Sequence, residues 1–230
     1  MTTYVLVPGA CHGAWWFDGL ADHLRSHGHR VLTPALTGVA ERAHLLHAGV
    51  NLETHVADVL AELVAHRVER VVLVGHSYGG MVITAVADRA ADRVDALVYL
   101  DAFVPHDGQS CWTLTTDEQR QWYISVDDTG YAVPPLPFFD ERATAHPLAS
   151  LMQPVRLRGD LSRFRRRDYV YATRWEGESP FALTFERLRD DLSWTTHVLD
   201  TAHNVLRDAG DEVVKILLVA GDRPESRALP

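Results

Sequence analysis

The segment Val71–Gly80, with the sequence VVLVGHSYGG, constrains the fold more than any other part of the chain. An apolar, β-branched run ends in a Gly-x-Ser-x-Gly motif, and a helical pattern over 81–90 follows at once. This order is typical of a nucleophile elbow, a sharp turn between a strand and a helix that lifts a serine hydroxyl above the carboxyl edge of a parallel sheet. Side chains at positions 75 and 79 would collide with the neighbouring strand or helix, which accounts for the two glycines. The motif therefore predicts Ser77 as a nucleophile.

The rest of the chain alternates between strand patterns and helix patterns, which predicts an α/β fold with a mostly parallel six-stranded sheet and helices on both faces. The pattern breaks down over 104–167, where proline, aromatic and charged residues predominate. A structureless insertion of that length is improbable in a compact chain, so we expect short helices that form a small cap after the strand following the nucleophile. The predicted division is therefore a core of 1–103 and 168–230 with a cap of 104–167. Strands are expected at Tyr4–Pro8, Val31–Pro34, Val71–Val74, Ala96–Leu100, Tyr169–Thr173 and Trp194–Leu199. Helices are expected at Trp16–His27, Leu52–Val64, Met81–Ala90 and Val205–Val219. Ser179 and Pro180 are expected to be the N-cap and the first residue of a further helix.

Composition narrows the class of partner. The 230 residues carry a formal net charge of −9, which argues against nucleic acid or an anionic membrane as the main partner. The two cysteines do not make a disulfide framework, and the 13 histidines are scattered without a His-Glu-x-x-His or Cys-x-x-Cys motif. We therefore expect no metal and no cofactor. The sequence has no charged-then-apolar leader and no apolar run near 18 residues, which predicts a cytoplasmic location.

A nucleophilic serine needs a base and two oxyanion donors. In a chain of this order the base follows the last strand, where His203 lies, whereas His197 falls inside that strand. One oxyanion donor should be the N–H of Tyr78, directly after the nucleophile, and the other the N–H of Ala10 in the loop after the first strand. Cys11 is a weak alternative nucleophile, because neither an elbow nor an obvious base accompanies it.

The segment Val7–Trp15 resembles the His-Gly-x-Cys-His-Gly-x-Trp loop of the plant methylesterase and hydroxynitrile lyase branch of the α/β-hydrolases. Pro34–Gly38 with Glu41 and Arg42, Gly75–Gly80 and Leu97–Pro105 also look like that branch and its bacterial esterase relatives. The resemblance covers nearly the whole chain and is weakest in the cap. The lyases carry a threonine where this chain has Gly9 and a lysine where it has Asn204. The resemblance therefore implies ester hydrolysis rather than lyase chemistry.

The position of the triad acid departs from this family. The family usually supplies an aspartate after the next-to-last strand, but the loop 173–178 reads TRWEGE and contains none. Asp101 ends the strand after the nucleophile, a position that relatives such as the haloalkane dehalogenases use for the acid. We predict Asp101 as the acid, with Glu176 as the alternative. Asp101 could also be an ordinary strand-end residue that caps a turn.

These observations together predict a serine hydrolase that cleaves a small to medium, aromatic carboxylic ester through an acyl-enzyme. A lyase, cyclase or lactone-forming enzyme of bacterial secondary metabolism is the alternative on the same fold, and a non-enzymatic, hormone-receptor-like binding protein is a third hypothesis. The expected partner is a small-molecule ester, and homodimer formation stays open. The residues expected to contact the substrate are Gly9, Cys11, His12, Trp112, Trp122 and Trp175.

Overall fold

The computed structural model describes residues 1–222. Its centre is a six-stranded, wholly parallel sheet with the strand order β2-β1-β3-β4-β7-β8. A separate antiparallel pair, β5-β6, lies in the segment between β4 and β7. The predicted α/β fold with a six-stranded sheet is confirmed. The strands are β1 Thr3–Val7, β2 Arg30–Leu32, β3 Val71–His76, β4 Val94–Leu100, β5 Ala132–Val133, β6 His146–Pro147, β7 Arg166–Ala172 and β8 Thr195–Leu199.

Eight α-helices connect and cover these strands in the part of the chain that the structure describes. They are α1 Asp18–Ser26, α2 Leu52–Ala65, α3 Gly79–Arg89, α4 Cys111–Leu114, α5 Asp117–Ile124, α6 Leu148–Met152, α7 Ala182–Arg189 and α8 Val205–Gly221. None of the helices within 1–222 is both long and apolar enough to cross a bilayer.

Two apolar clusters sandwich the sheet, because successive side chains of a strand point to opposite faces. Val5 and Val7 of β1 join α2 and α3 in one cluster. Tyr4 and Leu6 of the same strand join α1 and α8 in the other. Strand β3 is buried along its whole length, which explains why its sequence is a continuous apolar run rather than an alternating one. Because β3 is held in the sheet along its whole length, the turn that holds Ser77 begins at the carboxyl edge of the sheet.

Several predicted boundaries differ from the observed ones by one to three residues, and the contacts in the structure account for two of these differences. Strand β7 begins at Arg166, three residues before the predicted Tyr169, because the buried Asp168 pairs with Arg166 and can therefore lie in the sheet interior. Helix α7 begins at Ala182 rather than at Pro180. The Ser179 hydroxyl accepts a hydrogen bond from the N–H of Phe181, so this serine caps the turn before the helix instead of the helix itself.

The segment between β4 and β7 contains the short helices α4, α5 and α6 together with the β5-β6 pair. Its two strands are short, and Val133 pairs with His146. The division of the chain into a core and a cap over 104–167 stays a prediction. We use the word cap for residues 104–165, which lie between the end of β4 and the start of β7.

Candidate active site

The turn after β3 holds Ser77 in a strained backbone conformation. Its φ is 53°, in the left-handed region that residues with side chains rarely adopt. A Cβ on Gly75 would lie 2.7 Å from the carbonyl carbon of Gly79, and a Cβ on Gly79 would overlap the carbonyl oxygen of Val7. Only glycine at these positions lets α3 start so close to β1 and β3. The structure therefore has the elbow that the motif predicts, with Ser77 between the end of β3 and the start of α3.

Asp101 lies at the carboxyl end of β4, the strand next to β3, and is completely buried. Its Oδ2 is 2.7 Å from Nδ1 of His203, which follows β8. The same oxygen accepts a hydrogen bond from Nε1 of Trp175 at 2.9 Å, and Oδ1 accepts one from the N–H of Ala172 at 3.2 Å. Glu176, the alternative acid, is exposed in the loop after β7. The structure thus brings the predicted acid and the predicted base into direct contact.

The hydrogen bonds of this pair define the proton on His203. Because Nδ1–H donates to the carboxylate, Nε2 is left as the acceptor site of the neutral ring. Burial lowers the pKa of His203, which keeps the ring neutral at neutral pH and so leaves Nε2 unprotonated. Burial raises the pKa of Asp101 above its ordinary value, and donation from Ala172 and Trp175 offsets only part of this rise by stabilising the charged form.

The ring of His203 is enclosed by other rings. Phe181 stacks on it with centroids 5.4 Å apart, and Trp175 lies at 4.7 Å. The ring of His76 is 4.5 Å away, and its Nε2–H donates to the His203 carbonyl at 3.1 Å. His197 lies in β8, as predicted, and pairs instead with the buried Asp168 at 2.8 Å. Of the two histidines considered as the base, His203 is therefore the one that contacts Asp101.

The loop after β1 packs directly on the elbow. A Cβ on Gly9 would lie 3.0 Å from Cβ of Ser77 and 2.9 Å from Nδ1 of His76, so a larger residue would force the loop away from the serine. Ala10 follows Gly9 in this loop, and Tyr78 precedes the first residue of α3. Both residues predicted as oxyanion donors therefore line the same cavity as Ser77.

That cavity has a volume of about 350 Å³ and lies between the sheet edge and the cap. Ser77 and His203 both line it. Of the residues predicted to contact a substrate, it is lined by Gly9, His12, Trp122 and Trp175. The rest of the wall is strongly aromatic, with Trp16, Phe103, Tyr123, Phe138, Phe139 and Phe181.

Two of the residues predicted to contact a substrate lie outside this wall. Cys11 is completely buried, its N–H donates to His146, and burial raises the pKa of its thiol, so it presents neither surface nor thiolate to the cavity. Trp112 lies in α4 of the cap and packs against the apolar cluster that contains β3 and α3, and Arg120 covers its ring at 5.8 Å. Aromatic content in an aperiodic segment indicates a packed cap but does not say which rings turn towards the site.

Sequence reasoning missed several wall residues for the same reason. Phe138 and Phe139 stand in a proline-rich stretch without periodicity, and the sequence pattern assigns Phe181 to a helix rather than to the site. His76 could have been found, because the residue before an elbow serine must lie at the same sheet edge.

Comparisons with known proteins agree with this geometry. Residues 4–229 match the sequence profile of the family described as the Alpha/beta hydrolase family. The chain is 38% identical over 244 aligned residues to the carbendazim hydrolyzing esterase of Nocardioides sp. (strain SG-4G), covering 96% of this chain and 100% of that protein. It is 30% identical to salicylic acid-binding protein 2 of Nicotiana tabacum, covering 66% of this chain and 62% of that protein.

Among solved structures, an extracellular α/β-hydrolase from a Paenibacillus species matches with a TM-score of 0.79 and 22% identity, covering 97% of this chain and 100% of that one. The resemblance to the methylesterase branch and its bacterial esterase relatives is confirmed by the relatives found. Because the family profile matches almost the entire chain and the fold carries the strand-serine-helix elbow, this protein belongs to the α/β-hydrolase family.

Proposed function

We propose that the protein is a serine esterase that hydrolyses a small to medium, aromatic carboxylic ester. The observation that carries the proposal is the buried Asp101–His203 hydrogen bond at the edge of a cavity that Ser77 also lines. A serine on a strained elbow, a neutral histidine and a buried acid are the parts that acyl transfer requires. The similarity to the Nocardioides esterase, which covers 96% of this chain, supports the same activity.

The proposed reaction follows from the protonation of the three side chains. Nε2 of His203 accepts the hydroxyl proton of Ser77 as Oγ attacks the ester carbonyl carbon. Asp101 holds the ring and stabilises the imidazolium that forms. The imidazolium then gives its proton to the departing alcohol, which leaves an acyl-enzyme on Ser77. His203 next deprotonates a water molecule, whose oxygen attacks the acyl carbon. The bond from that carbon to Oγ of Ser77 then breaks, the imidazolium returns its proton to Oγ, and the carboxylic acid is released.

The negative charge that develops on the carbonyl oxygen needs donors fixed in advance. We assign this role to the N–H groups of Ala10 and Tyr78, which come from the two segments that meet at Ser77. The N-terminus of α3 adds a positive electrostatic potential at the same point. Losing one such donor typically costs about 100- to 1,000-fold in kcat.

The cavity wall supports a neutral, aromatic acyl group. A volume of about 350 Å³ falls at the small end of the roughly 300–1,000 Å³ that is usual for ligand pockets. Rings such as those of Trp122, Phe139 and Phe181 offer faces and edges to an aromatic group. A negative charge on an acyl group that lies against these rings would be poorly solvated, and we expect it to lower kcat/KM on the order of a hundredfold.

The test combines labelling with product analysis. A fluorophosphonate should modify the wild type at Ser77, as mapped by peptide mass spectrometry, and should not modify Ser77→Ala. The methyl ester of benzoic acid should be hydrolysed faster than methyl acetate and much faster than monomethyl succinate, and carbendazim is included because of the Nocardioides relative. In H₂¹⁸O the acid product should carry the label. Turnover without label in the product would instead favour the lyase, cyclase or lactone-forming alternative.

The cytoplasmic location and the homodimer stay predictions. The similar Paenibacillus protein is described as extracellular, so cell fractionation is the appropriate test of location.

A further inference from the structure

The cap contacts the loop after β1 through hydrogen bonds to Cys11. The N–H of Thr144 donates to the Cys11 carbonyl at 3.0 Å, and the N–H of Cys11 donates to Nδ1 of His146 at 3.2 Å. Nδ1–H of His12 donates to the carbonyl of Ala10 at 2.7 Å. Both polar groups of the peptide that joins Ala10 to Cys11 are therefore held. Cys11 has a φ of 68°, a conformation that a residue with a side chain keeps only when its surroundings impose it.

The other side of the His146 ring is fixed as well. Because Nδ1 accepts from Cys11, the proton lies on Nε2, which donates to Oγ of Ser150 at 2.9 Å. The Ser150 hydroxyl in turn donates to the carbonyl of Pro147 at 2.8 Å. The side chain of His146 is completely buried, and burial lowers its pKa well below the usual value. The ring therefore stays neutral, with Nδ1 as a permanent acceptor.

The same ring packs against Tyr78. The two ring centroids are 4.7 Å apart, with an edge-to-face angle of 73°. The hydroxyl of Tyr78 donates to Nδ1 of His55 at 2.8 Å, and Nε2–H of His55 donates to the Thr37 carbonyl at 2.9 Å. Tyr78 is thus wedged between a histidine from α2 and a histidine from β6 of the cap. His146 of the cap therefore contacts the residues of both proposed oxyanion donors. It accepts a hydrogen bond from Cys11, which follows Ala10, and it packs against the ring of Tyr78.

We propose that His146 is a positioning residue that ties the cap to the oxyanion hole. It holds the peptide after Ala10 by a hydrogen bond and holds Tyr78 by packing, so that both N–H groups point to one place. This inference rests on the proposed esterase function. An oxyanion donor acts on the transition state more than on the bound ester, so loss of its orientation lowers kcat and leaves KM nearly unchanged.

Two amide substitutions separate the two hydrogen bonds of the ring. His146→Asn can place Oδ1 where Nδ1 was and still accept from the N–H of Cys11. His146→Gln can reach Ser150 with its terminal amide but leaves Cys11 without that acceptor. We expect His146→Gln, which loses both the acceptor for Cys11 and the ring against Tyr78, to lower kcat about 10- to 100-fold with KM changed less than threefold. His146→Asn, which keeps the acceptor and loses only the ring contact, should lower kcat by no more than about threefold.

Affinity for two inhibitors identifies the step that is affected. An aryl trifluoromethyl ketone forms a tetrahedral adduct with an oxyanion, whereas benzoate binds as a product without one. His146→Gln should lower the affinity for the ketone by the same factor as kcat and leave the affinity for benzoate unchanged. Equal kcat in His146→Gln and wild type, equal losses in both amide variants, or a parallel loss of benzoate affinity would overturn the proposal.

A readout without catalysis separates this inference from the esterase proposal. Hydrogen exchange at the Cys11 amide should be faster in His146→Gln than in wild type and His146→Asn. Fluorophosphonate labelling of wild-type Ser77 reports on the esterase proposal alone. If the amide variants fail to fold, Ser150→Ala, which removes the acceptor of Nε2–H together with the hydrogen bond to the Pro147 carbonyl, should lower kcat and ketone affinity by a common factor of about 2 to 10. No change in that variant would refute the role of His146.

Discussion

Replacing Asp101 by asparagine tests the acid assignment most sharply. The carboxylate accepts from three N–H groups, those of Ala172, Trp175 and His203. Asparagine is isosteric but offers one oxygen and one NH₂ group. If the NH₂ group replaces Oδ2, it faces two donors and drives the proton of His203 from Nδ1 to Nε2, where it blocks the transfer from Ser77. If the NH₂ group replaces Oδ1, it faces the N–H of Ala172, and a buried donor is left without an acceptor.

The first arrangement gives the expected magnitude. A histidine in the wrong tautomer costs about ten-thousandfold in kcat, equivalent to about 5 kcal/mol of transition-state stabilisation. The fold should persist, because the unsatisfied donor and the removal of a buried charge act in opposite directions on the free energy of unfolding.

The assay is steady-state hydrolysis of p-nitrophenyl acetate, with Glu176→Gln as the matched control. Glu176 also carries a carboxylate near the carboxyl edge of the sheet but is exposed, so its amide variant should retain wild-type kcat. A folded Asp101→Asn variant with more than a tenth of wild-type kcat would refute the assignment. Loss of activity in Glu176→Gln instead would place the acid in the loop after β7.

The remaining predictions concern the nucleophile, the elbow and pH. Ser77→Ala and His203→Ala should each lower hydrolysis at least about a thousandfold and the double variant little more, because the residues act as a unit, and additive losses in kcat would contradict this. Gly79→Ala should lower the free energy of unfolding in urea by about 1–3 kcal/mol, because its Cβ overlaps a carbonyl of β1, whereas Gly19→Ala, with nothing within 4 Å, should not lower it. Burial lowers the pKa of His55 to about 4, so its contribution to stability is complete above pH 6.5 and falls by about 3 kcal/mol towards pH 4 as the unfolded chain takes up the proton first. The free energy of unfolding of His55→Gln should therefore depend less steeply on pH over that interval, and an equal slope would show that His55 titrates normally.

The sequence predicts the core of the fold well because buried strands and helices there have recognisable patterns of apolar residues. Strand β3 is buried on both faces and reads as an unbroken apolar run, and the glycines of the elbow follow from close backbone contacts. The positions of Ser77 and His203 follow from the order of the strands, since Ser77 comes directly after β3 and His203 comes after β8. Residues at the ends of parallel strands meet at one edge of the sheet, so their proximity needs no knowledge of the side-chain packing.

The cap cannot be predicted in this way. Its helices are only four to eight residues long, and its strands are two residues long, so no hydrophobic period develops. Trp122 faces the cavity and Trp112 does not, although both are tryptophans of the same segment. Which ring turns inward depends on local contacts such as the hydrogen bond from Nε1 of Trp122 to the Pro134 carbonyl. Substrate contacts in the cap therefore need the structure.

The strand order explains how Asp101, the proposed acid at the end of β4, can contact a histidine that follows β8. Strands β4 and β7 are neighbours, with Leu100 level with Val170, and parallel strands lie about 4.8 Å apart. Moving the acid from the end of β7 to the end of β4 therefore displaces it by only one strand spacing, which an aspartate on a left-handed turn can bridge. Asp101 has a φ of 42°, and its N–H donates to the Val170 carbonyl at 2.7 Å. The loop after β7 then supplies Trp175, whose N–H reaches the same carboxylate oxygen as His203. The segment after β4 thus supplies the carboxylate, and the loop after β7 supplies the Trp175 hydrogen bond that orients this carboxylate. His203 contacts it from the segment after β8.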